Sequence, residues 1–119
     1  MLEKEYKKKK VNKGLKPEKG LIKALKYTQK GIALDIGAGQ GRNSIFLANY
    51  GFRVEAVDKD NKGLKKCKEY AKKHNLSIKT KAVDIKDFKF KKNKYSIIFS
   101  ITGIDFLKFS EIKKIIKKK

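Results

Sequence analysis

The sequence predicts an α/β domain in which helices flank a mainly parallel sheet. Short apolar runs typical of strands alternate along the chain with segments of helical periodicity. The run at 32–36 is apolar enough for a strand that is buried on both faces, and a glycine-rich turn follows it directly. Because parallel strands need crossover connections, we expect right-handed crossovers through the intervening helices.

The length of 119 residues is that of one ordinary domain. Lysine dominates the first residues, so we predict a basic flexible arm over residues 1–16. The domain itself is predicted over residues 17–119.

The helices and strands are predicted in a regular order. Helices are expected at 17–29, 41–50 and 60–75, strands at 32–36, 52–57, 77–83 and 95–101, and a last helix from Ser110. Pro17 suits a first helical position, and Leu21 and Leu25 share one face of the helix that follows. Lysines alternate along the strand at 77–83 and discourage pairing with another chain, so we place that strand at a sheet edge.

Lysine also dominates the charge of the chain. The formal net charge is +21, and Arg42 and Arg53 are the only arginines among 33 basic residues. One interpretation is a surface that binds nucleic acid or another polyanion. The other is a compositional or high-temperature preference for lysine. The scarcity of arginine favours the second interpretation, since specific nucleic-acid contacts rely on its bidentate geometry.

The number of cysteines and the first residues of the chain indicate its cellular location. Cys67 is the only cysteine, so the chain can form no disulfide within itself and no cysteine-based zinc site. The opening "MLEKEYKKKK" has charges without an apolar stretch, so we expect neither a secretion signal nor a membrane anchor. These features favour a cytoplasmic protein without a membrane or metal partner.

The loop after the first strand reads "DIGAGQG" from Asp35 to Gly41. A phosphate-binding P-loop would need lysine followed by serine or threonine after the last glycine, where this chain has Arg42 and Asn43. The dinucleotide fingerprint would need its third glycine at position 42, so that interpretation is weakened too. What remains is an acid-x-Gly-x-Gly-x-Gly loop whose missing side chains let a ligand touch the backbone.

Acidic residues stand at the ends of the next two strands. Asp58 follows Gly39 by nineteen residues, a distance at which a strand-end carboxylate can accept both hydroxyls of a ribose. Asp84 is followed by apolar Ile85, a pair able to accept from an adenine amino group and to flank its ring. A single strand-end aspartate is more often a turn or helix cap, but together with the glycine loop these acids favour an adenosine site.

With these motifs the chain resembles the class I S-adenosylmethionine-dependent methyltransferases, which have a Rossmann-like sheet. The segment "LDIGAGQGRNSIFLANYGFRVEAVD" is most similar to the small enzymes related to tellurite-resistance and thiopurine methyltransferases. The resemblance implies S-adenosyl-L-methionine as cofactor and a small-molecule methyl acceptor. It assigns the following residues to cofactor binding: Asp35, Gly37, Ala38, Gly39, Asn43, Asp58, Lys59, Asp84, Ile85 and Ser100.

Within that set the resemblance gives some residues individual roles. Gly37 and Gly39 would face the methionine part of the cofactor, and Asp35 would help to fix the loop and the methionyl ammonium. Ser100 would line the mouth of the pocket. No catalytic residue is assigned, because in-line methyl transfer can rely on positioning and exclusion of water without a general base.

The seven-stranded sheet of that family has later strands that are absent here. We therefore expect the first four strands only, and an exposed edge on the fourth that a partner chain or a second copy could cover. Two alternatives to an independent enzyme stay open. One is a truncated or partner-completed cofactor-binding domain without catalysis, and the other is an RNA-binding or RNA-modifying methyltransferase.

Overall fold

Strands and helices alternate along residues 19–100, the part of the chain that the computed structural model describes. They are α1 (Lys19–Ala24) with a 3-10 turn (Leu25–Tyr27), β1 (Ile32–Ile36), α2 (Arg42–Asn49), β2 (Arg53–Asp58), α3 (Asn61–Lys73), β3 (Ile78–Ala82), a second 3-10 turn (Ile85–Asp87) and β4 (Ile97–Ser100). The arm predicted at 1–16 and the helix predicted from Ser110 lie outside the described residues.

The four strands form one sheet in the order β3-β2-β1-β4, and every pair is parallel. Ala33 is in register with Val54 on one side and with Ile97 on the other, so β1 lies between β2 and β4. The predicted α/β class with a parallel sheet is confirmed. So is the edge position of β3 within this sheet, where Lys79 and Lys81 are exposed.

The strand β1 is buried on both faces, as its apolar run predicts. From Ala33 to Ile36 every residue is buried. Ala33 belongs to the core that holds α1 and α2, whereas Leu34 and Ile36 pack in a second core on the opposite face. Alternation along a strand sends successive side chains to opposite faces, which accounts for the two cores.

The three helices cover one face of the sheet. Leu21 of α1 and Phe46 of α2 pack with Val54 of β2 in the first core, and Leu64 of α3 packs with Ala56 of β2. Each fully buried Leu or Phe contributes about 1.5–3 kcal/mol, so these contacts fix the helices on the sheet. None of the helices within residues 19–100 is long and apolar enough to cross a membrane.

The opposite face is covered by the connection between β3 and β4, which contains the second 3-10 turn and no α-helix. Phe88 and Phe90 make an edge-to-face pair with ring centroids 4.9 Å apart, and both pack on the cluster around buried Tyr95. The Tyr95 hydroxyl donates to Oε1 of Glu55 at 2.9 Å.

Most element ends within the described residues differ from the predictions by at most two residues, and only α1 ends earlier than that. Two of the differences have a clear structural reason. Regular α-helix ends at Ala24 and tightens into the 3-10 turn, whereas a helix was expected as far as residue 29. Such tightening is common at a helix C-terminus, and Thr28 N–H still donates to Leu25 O. The fourth strand begins at Ile97, two residues late, because Tyr95 turns its ring into the second core and makes only an isolated bridge.

Candidate functional site

The predicted site residues converge at one edge of the sheet, where the four parallel strands end. Gly37 follows β1 directly, Asp58 ends β2, Asp84 follows β3 by two residues, and Ser100 ends β4. Ser100 is in register with Ile36, so the last residues of β1 and β4 lie side by side. In open α/β sheets, ligands bind in the crevice beyond these carboxyl ends.

The glycine loop turns sharply because its glycines adopt positive φ. The values are 75° at Gly37, 58° at Gly39 and 94° at Gly41, in the region that favours glycine. The loop is tied to β2, since the N–H groups of Gly37 and Ala38 both donate to Val57 O, at 2.8 and 3.1 Å. The backbone path is therefore set by the neighbouring strand.

Asp58 joins this loop to the start of α3. Its Oδ2 accepts from Gly39 N–H at 2.8 Å, and its Oδ1 accepts from Asp60 N–H at 2.9 Å. The residue is half-buried, and a carboxylate oxygen can accept more than one hydrogen bond, so both oxygens retain acceptor capacity. The neighbouring Lys59 is exposed.

Asp35 is a fully buried carboxyl group beneath the loop. Its Oδ2 accepts from the Ser44 hydroxyl at 2.7 Å, and its Oδ1 accepts no hydrogen bond from the described part of the chain. Burial raises the pKa of Asp35 from 3.8 to about 6, against the opposing effect of the Ser44 hydrogen bond. Asn43 is also buried, in the first turn of α2.

Asp84 and Ile85 lie at the third strand end, as predicted. Asp84 acts as a cap, since its Oδ1 accepts from Lys86 N–H at 3.0 Å at the start of the 3-10 turn. Ile85 is half-buried and packs against the Tyr95 cluster. The cap explains part of why an aspartate stands here, and the adenine contact stays a prediction.

Gly63, which the sequence analysis missed, supports the loop from α3. A Cβ at Gly63 would lie 2.8 Å from the carbonyl carbon of Gly39, so only glycine lets the helix approach the loop this closely. Similarly, a Cβ at Gly41 would collide with the fully buried Cys67. The signal in the sequence that could have predicted this contact is a glycine inside a helical segment.

On its outer side the loop is open. A Cβ at Gly39 would meet no atom within 4 Å, so a ligand can reach the backbone there. The half-buried Asp58 carboxylate beside Gly39 suits the hydroxyl donors of a sugar, and the fully buried Asp35 carboxyl beneath the loop suits a cationic amino group, so these two residues fit an S-adenosylmethionine-like ligand. No set of three or more His, Cys, Asp or Glu side chains in residues 19–100 is arranged to hold a metal ion.

A parallel β3-β2-β1-β4 order with the glycine loop after β1 is the Rossmann-like arrangement of the class I methyltransferases. Residues 1–119 match the family model described as tellurite resistance protein TehB, and the chain belongs to this family. The resemblance predicted from the glycine and aspartate motifs is thus confirmed.

Individual relatives agree with this membership. The chain is 33% identical over 97 residues to a probable S-adenosyl-L-methionine-dependent methyltransferase TehB of Haemophilus influenzae, a match that covers 82% of this chain and 34% of the relative. This chain therefore spans about a third of the length of the curated relative.

Two solved structures show the same arrangement. The crystal structure of TehB from Haemophilus influenzae superposes with a TM-score of 0.69 at 29% identity, over 92% of this chain and 37% of that one. A putative S-adenosyl-L-methionine-dependent methyltransferase from Methanococcus maripaludis also gives a TM-score of 0.69, at 22% identity, over 97% and 57% of the two chains. The second likeness supports the fold alone.

Proposed function

We propose that this chain binds S-adenosyl-L-methionine at the carboxyl edge of its sheet, and that the protein transfers the methyl group to a small-molecule acceptor. The observation that carries the proposal is the open backbone of Gly39 beside Asp58, whose carboxylate is already oriented by two backbone N–H groups. The name of the Haemophilus influenzae relative supports the same cofactor.

The proposed contacts follow the order of the strand ends. The carboxylate of Asp58 accepts from the ribose hydroxyls, with Lys59 beside it. Gly37, Ala38 and Gly39 offer backbone to the methionine part of the cofactor, and Asp84 with Ile85 contacts the adenine.

Two buried polar residues and one strand end complete the proposed site. Asp35 lies beneath the loop with an oxygen that has no described partner, and the cationic amino group would favour its carboxylate form against the effect of burial. Asn43 supports the same part of the site from the first turn of α2. Ser100, at the end of β4, lines the mouth of the pocket.

The cofactor supplies, when bound, a methyl group on a positively charged sulfur. The chain's own residues then need only orient that group and keep water away, since a well-aligned displacement gains much of its rate from positioning. We assign no general base. The chain is rich in lysine, but this does not prevent it from binding a positively charged cofactor. The strand-end groups nearest to the glycine loop are carboxylates.

We propose further that the 119-residue chain catalyses the transfer and that the methyl acceptor is a small molecule. Within the described sheet, β4 pairs with β1 only, so a partner chain or a second copy on its other edge remains a proposed way to complete the substrate side. A cytoplasmic location also stays a prediction.

Calorimetric titration with S-adenosylhomocysteine tests the proposal. We expect saturable one-to-one binding to the 119-residue chain and a loss of about tenfold or more in affinity for Asp58→Asn, since one charge-assisted hydrogen bond contributes about 1.5–3 kcal/mol. Glu69→Gln, which removes one negative charge from an exposed position of α3, is the matched control and should bind normally. Absence of binding by the folded chain, or equal affinity in both variants, refutes the site.

Transfer of a labelled methyl group separates binding from catalysis. We expect label to appear on a small molecule when metabolite extract is added to the chain together with the labelled cofactor. If the chain binds S-adenosylhomocysteine but produces no labelled acceptor, the alternative of a cofactor-binding domain without independent catalysis is favoured. Label on added RNA would favour the RNA-modifying alternative.

A further inference from the structure

A second concave site lies at the opposite edge of the sheet, where the strands begin. It has a volume of about 360 Å³ and is formed by the starts of β1 and β2 together with the loop 91–94. Small-ligand pockets usually measure about 300–1,000 Å³, so this one is large enough for a compact ligand. None of the residues proposed for the cofactor lines it.

Most of the residues that line this pocket, which we call the basic pocket, are basic. Arg53, Lys91, Lys92 and Lys94 contribute to it, and no carboxylate does among the described residues. Lys94 is engaged in an ion pair with Glu55. Arg53, Lys91 and Lys92 are exposed and make no ion pair with another described residue, so three of the residues that line the pocket carry a positive charge without a described counter-charge.

The pocket is built on well-anchored backbone. Arg53 N–H donates to Gly31 O at 2.9 Å, and Ser96 N–H donates to Ile32 O at 2.8 Å, so the starts of β1, β2 and β4 are joined. Glu55 accepts from the Tyr95 hydroxyl and pairs with Lys94, which fixes the end of the loop against the sheet. The backbone that carries Arg53, and the end of the loop that carries Lys91 and Lys92, are therefore anchored to the sheet.

The positive charges of Arg53, Lys91 and Lys92 favour a ligand that carries phosphate groups. Each lysine ammonium is a point charge suited to a phosphate oxygen, and the Arg53 guanidinium can bind a phosphate through two parallel N–H bonds. Three cations around one volume suit a ligand that carries several phosphates in sequence. The scarcity of arginine, which argues against reading of bases, does not argue against contacts to phosphate, since those need only positive charge.

We propose that Arg53, Lys91 and Lys92 form a binding site for a phosphate-bearing polyanion, either a free oligophosphate or the backbone of a single-stranded RNA. This proposal does not depend on the cofactor site. It also assigns a defined place to part of the lysine excess, which the cofactor site leaves unexplained.

The test compares two triple variants with equal loss of charge. Arg53→Gln, Lys91→Gln and Lys92→Gln are combined in one variant of the 119-residue chain, and Lys65→Gln, Lys66→Gln and Lys68→Gln in the control. The control residues are exposed lysines on α3. Binding of inorganic triphosphate is measured by calorimetry, and that of a labelled single-stranded RNA by fluorescence anisotropy over about 50–200 mM salt.

We expect the pocket variant to bind about tenfold to a hundredfold more weakly and the control variant to lose less than about threefold. For RNA, the slope of log affinity against log salt should become less negative by about 2, since each phosphate contact to a single strand contributes about 0.7. Pocket-dependent binding of either ligand supports the proposal, and competition between them shows which source binds better. Equal losses in the two variants, or no binding of either ligand, overturn it.

A double variant guards against an effect on folding. Lys91→Gln with Lys92→Gln leaves β2 unchanged, and it should show about two thirds of the change in salt slope that the triple variant shows. Circular dichroism of each variant verifies the fold. A double variant that folds normally and binds like the unmodified chain also contradicts the proposed site.

Discussion

Replacing Asp35 by asparagine is expected to remove a pH dependence from the stability of this chain. The side chain is fully buried, and burial raises its pKa from 3.8 to about 6. Between about pH 4 and pH 6 the folded chain holds a proton that the unfolded chain has released. The free energy of unfolding therefore falls as the pH rises through this window. The stabilisation that comes from protonating Asp35 in the folded chain is complete only below about pH 4.

The size of the effect follows from the shift. One pKa unit corresponds to about 1.4 kcal/mol, so raising the pKa from 3.8 to about 6 costs about 3 kcal/mol of stability above pH 6. Asparagine keeps an oxygen for the Ser44 hydroxyl but places an amide group where Oδ1 has no described partner. That unsatisfied donor costs about 1–3 kcal/mol at every pH.

Urea unfolding of both proteins from about pH 4 to pH 7.5 measures the difference. We expect Asp35→Asn to be less stable than the unmodified chain at the acidic end and to recover by about 3 kcal/mol relative to it at the neutral end. Glu69→Gln controls for the loss of a negative charge at an exposed position. If the stability curves of Asp35→Asn and the unmodified chain run parallel over this range, Asp35 does not titrate as described.

Other substitutions test the loop, the second core and the buried thiol. Gly39→Ala is expected to cost about 1–2 kcal/mol in urea unfolding, because its φ is 58°, and to weaken S-adenosylhomocysteine binding much more, because the new methyl group fills the open space. Gly63→Ala should destabilise the fold by about 1–3 kcal/mol through its collision with the Gly39 carbonyl, and a Gly63→Ala variant as stable as the unmodified chain would contradict this account. Tyr95→Phe should cost about 1.5–3 kcal/mol in the same assay through loss of the hydrogen bond to Glu55, and no change would mean that this bond adds nothing. Burial raises the pKa of Cys67 to about 11, so Ellman's reagent should react with it at pH 8 only as fast as the chain unfolds; rapid labelling of the folded chain would be inconsistent with that burial.

The parts of the fold that were predictable depend on short-range patterns. The apolar run of β1, the glycines after it and the lysine alternation in β3 each lie within a few residues, and each was confirmed. The convergence of Asp58 with the loop also followed, because parallel strands bring their carboxyl ends to one edge.

The unpredicted parts depend on contacts between distant segments. The approach of Gly63 to Gly39 requires knowing how α3 lies on the sheet, and the late start of β4 depends on the place that the core offers to Tyr95. The basic pocket joins Arg53 to a loop almost forty residues further along, which no local periodicity reveals.

The strand β2 sets the separation between the two proposed sites. It begins with Arg53 at the basic pocket and ends with Asp58 at the glycine loop, and its five steps of about 3.3 Å put the two backbones about 17 Å apart. This length is about two Debye lengths at physiological salt, so charge bound at one end is largely screened at the other. Occupation of the two ends should therefore be additive, and a polyanion held at Arg53 would leave access to Asp58 unobstructed.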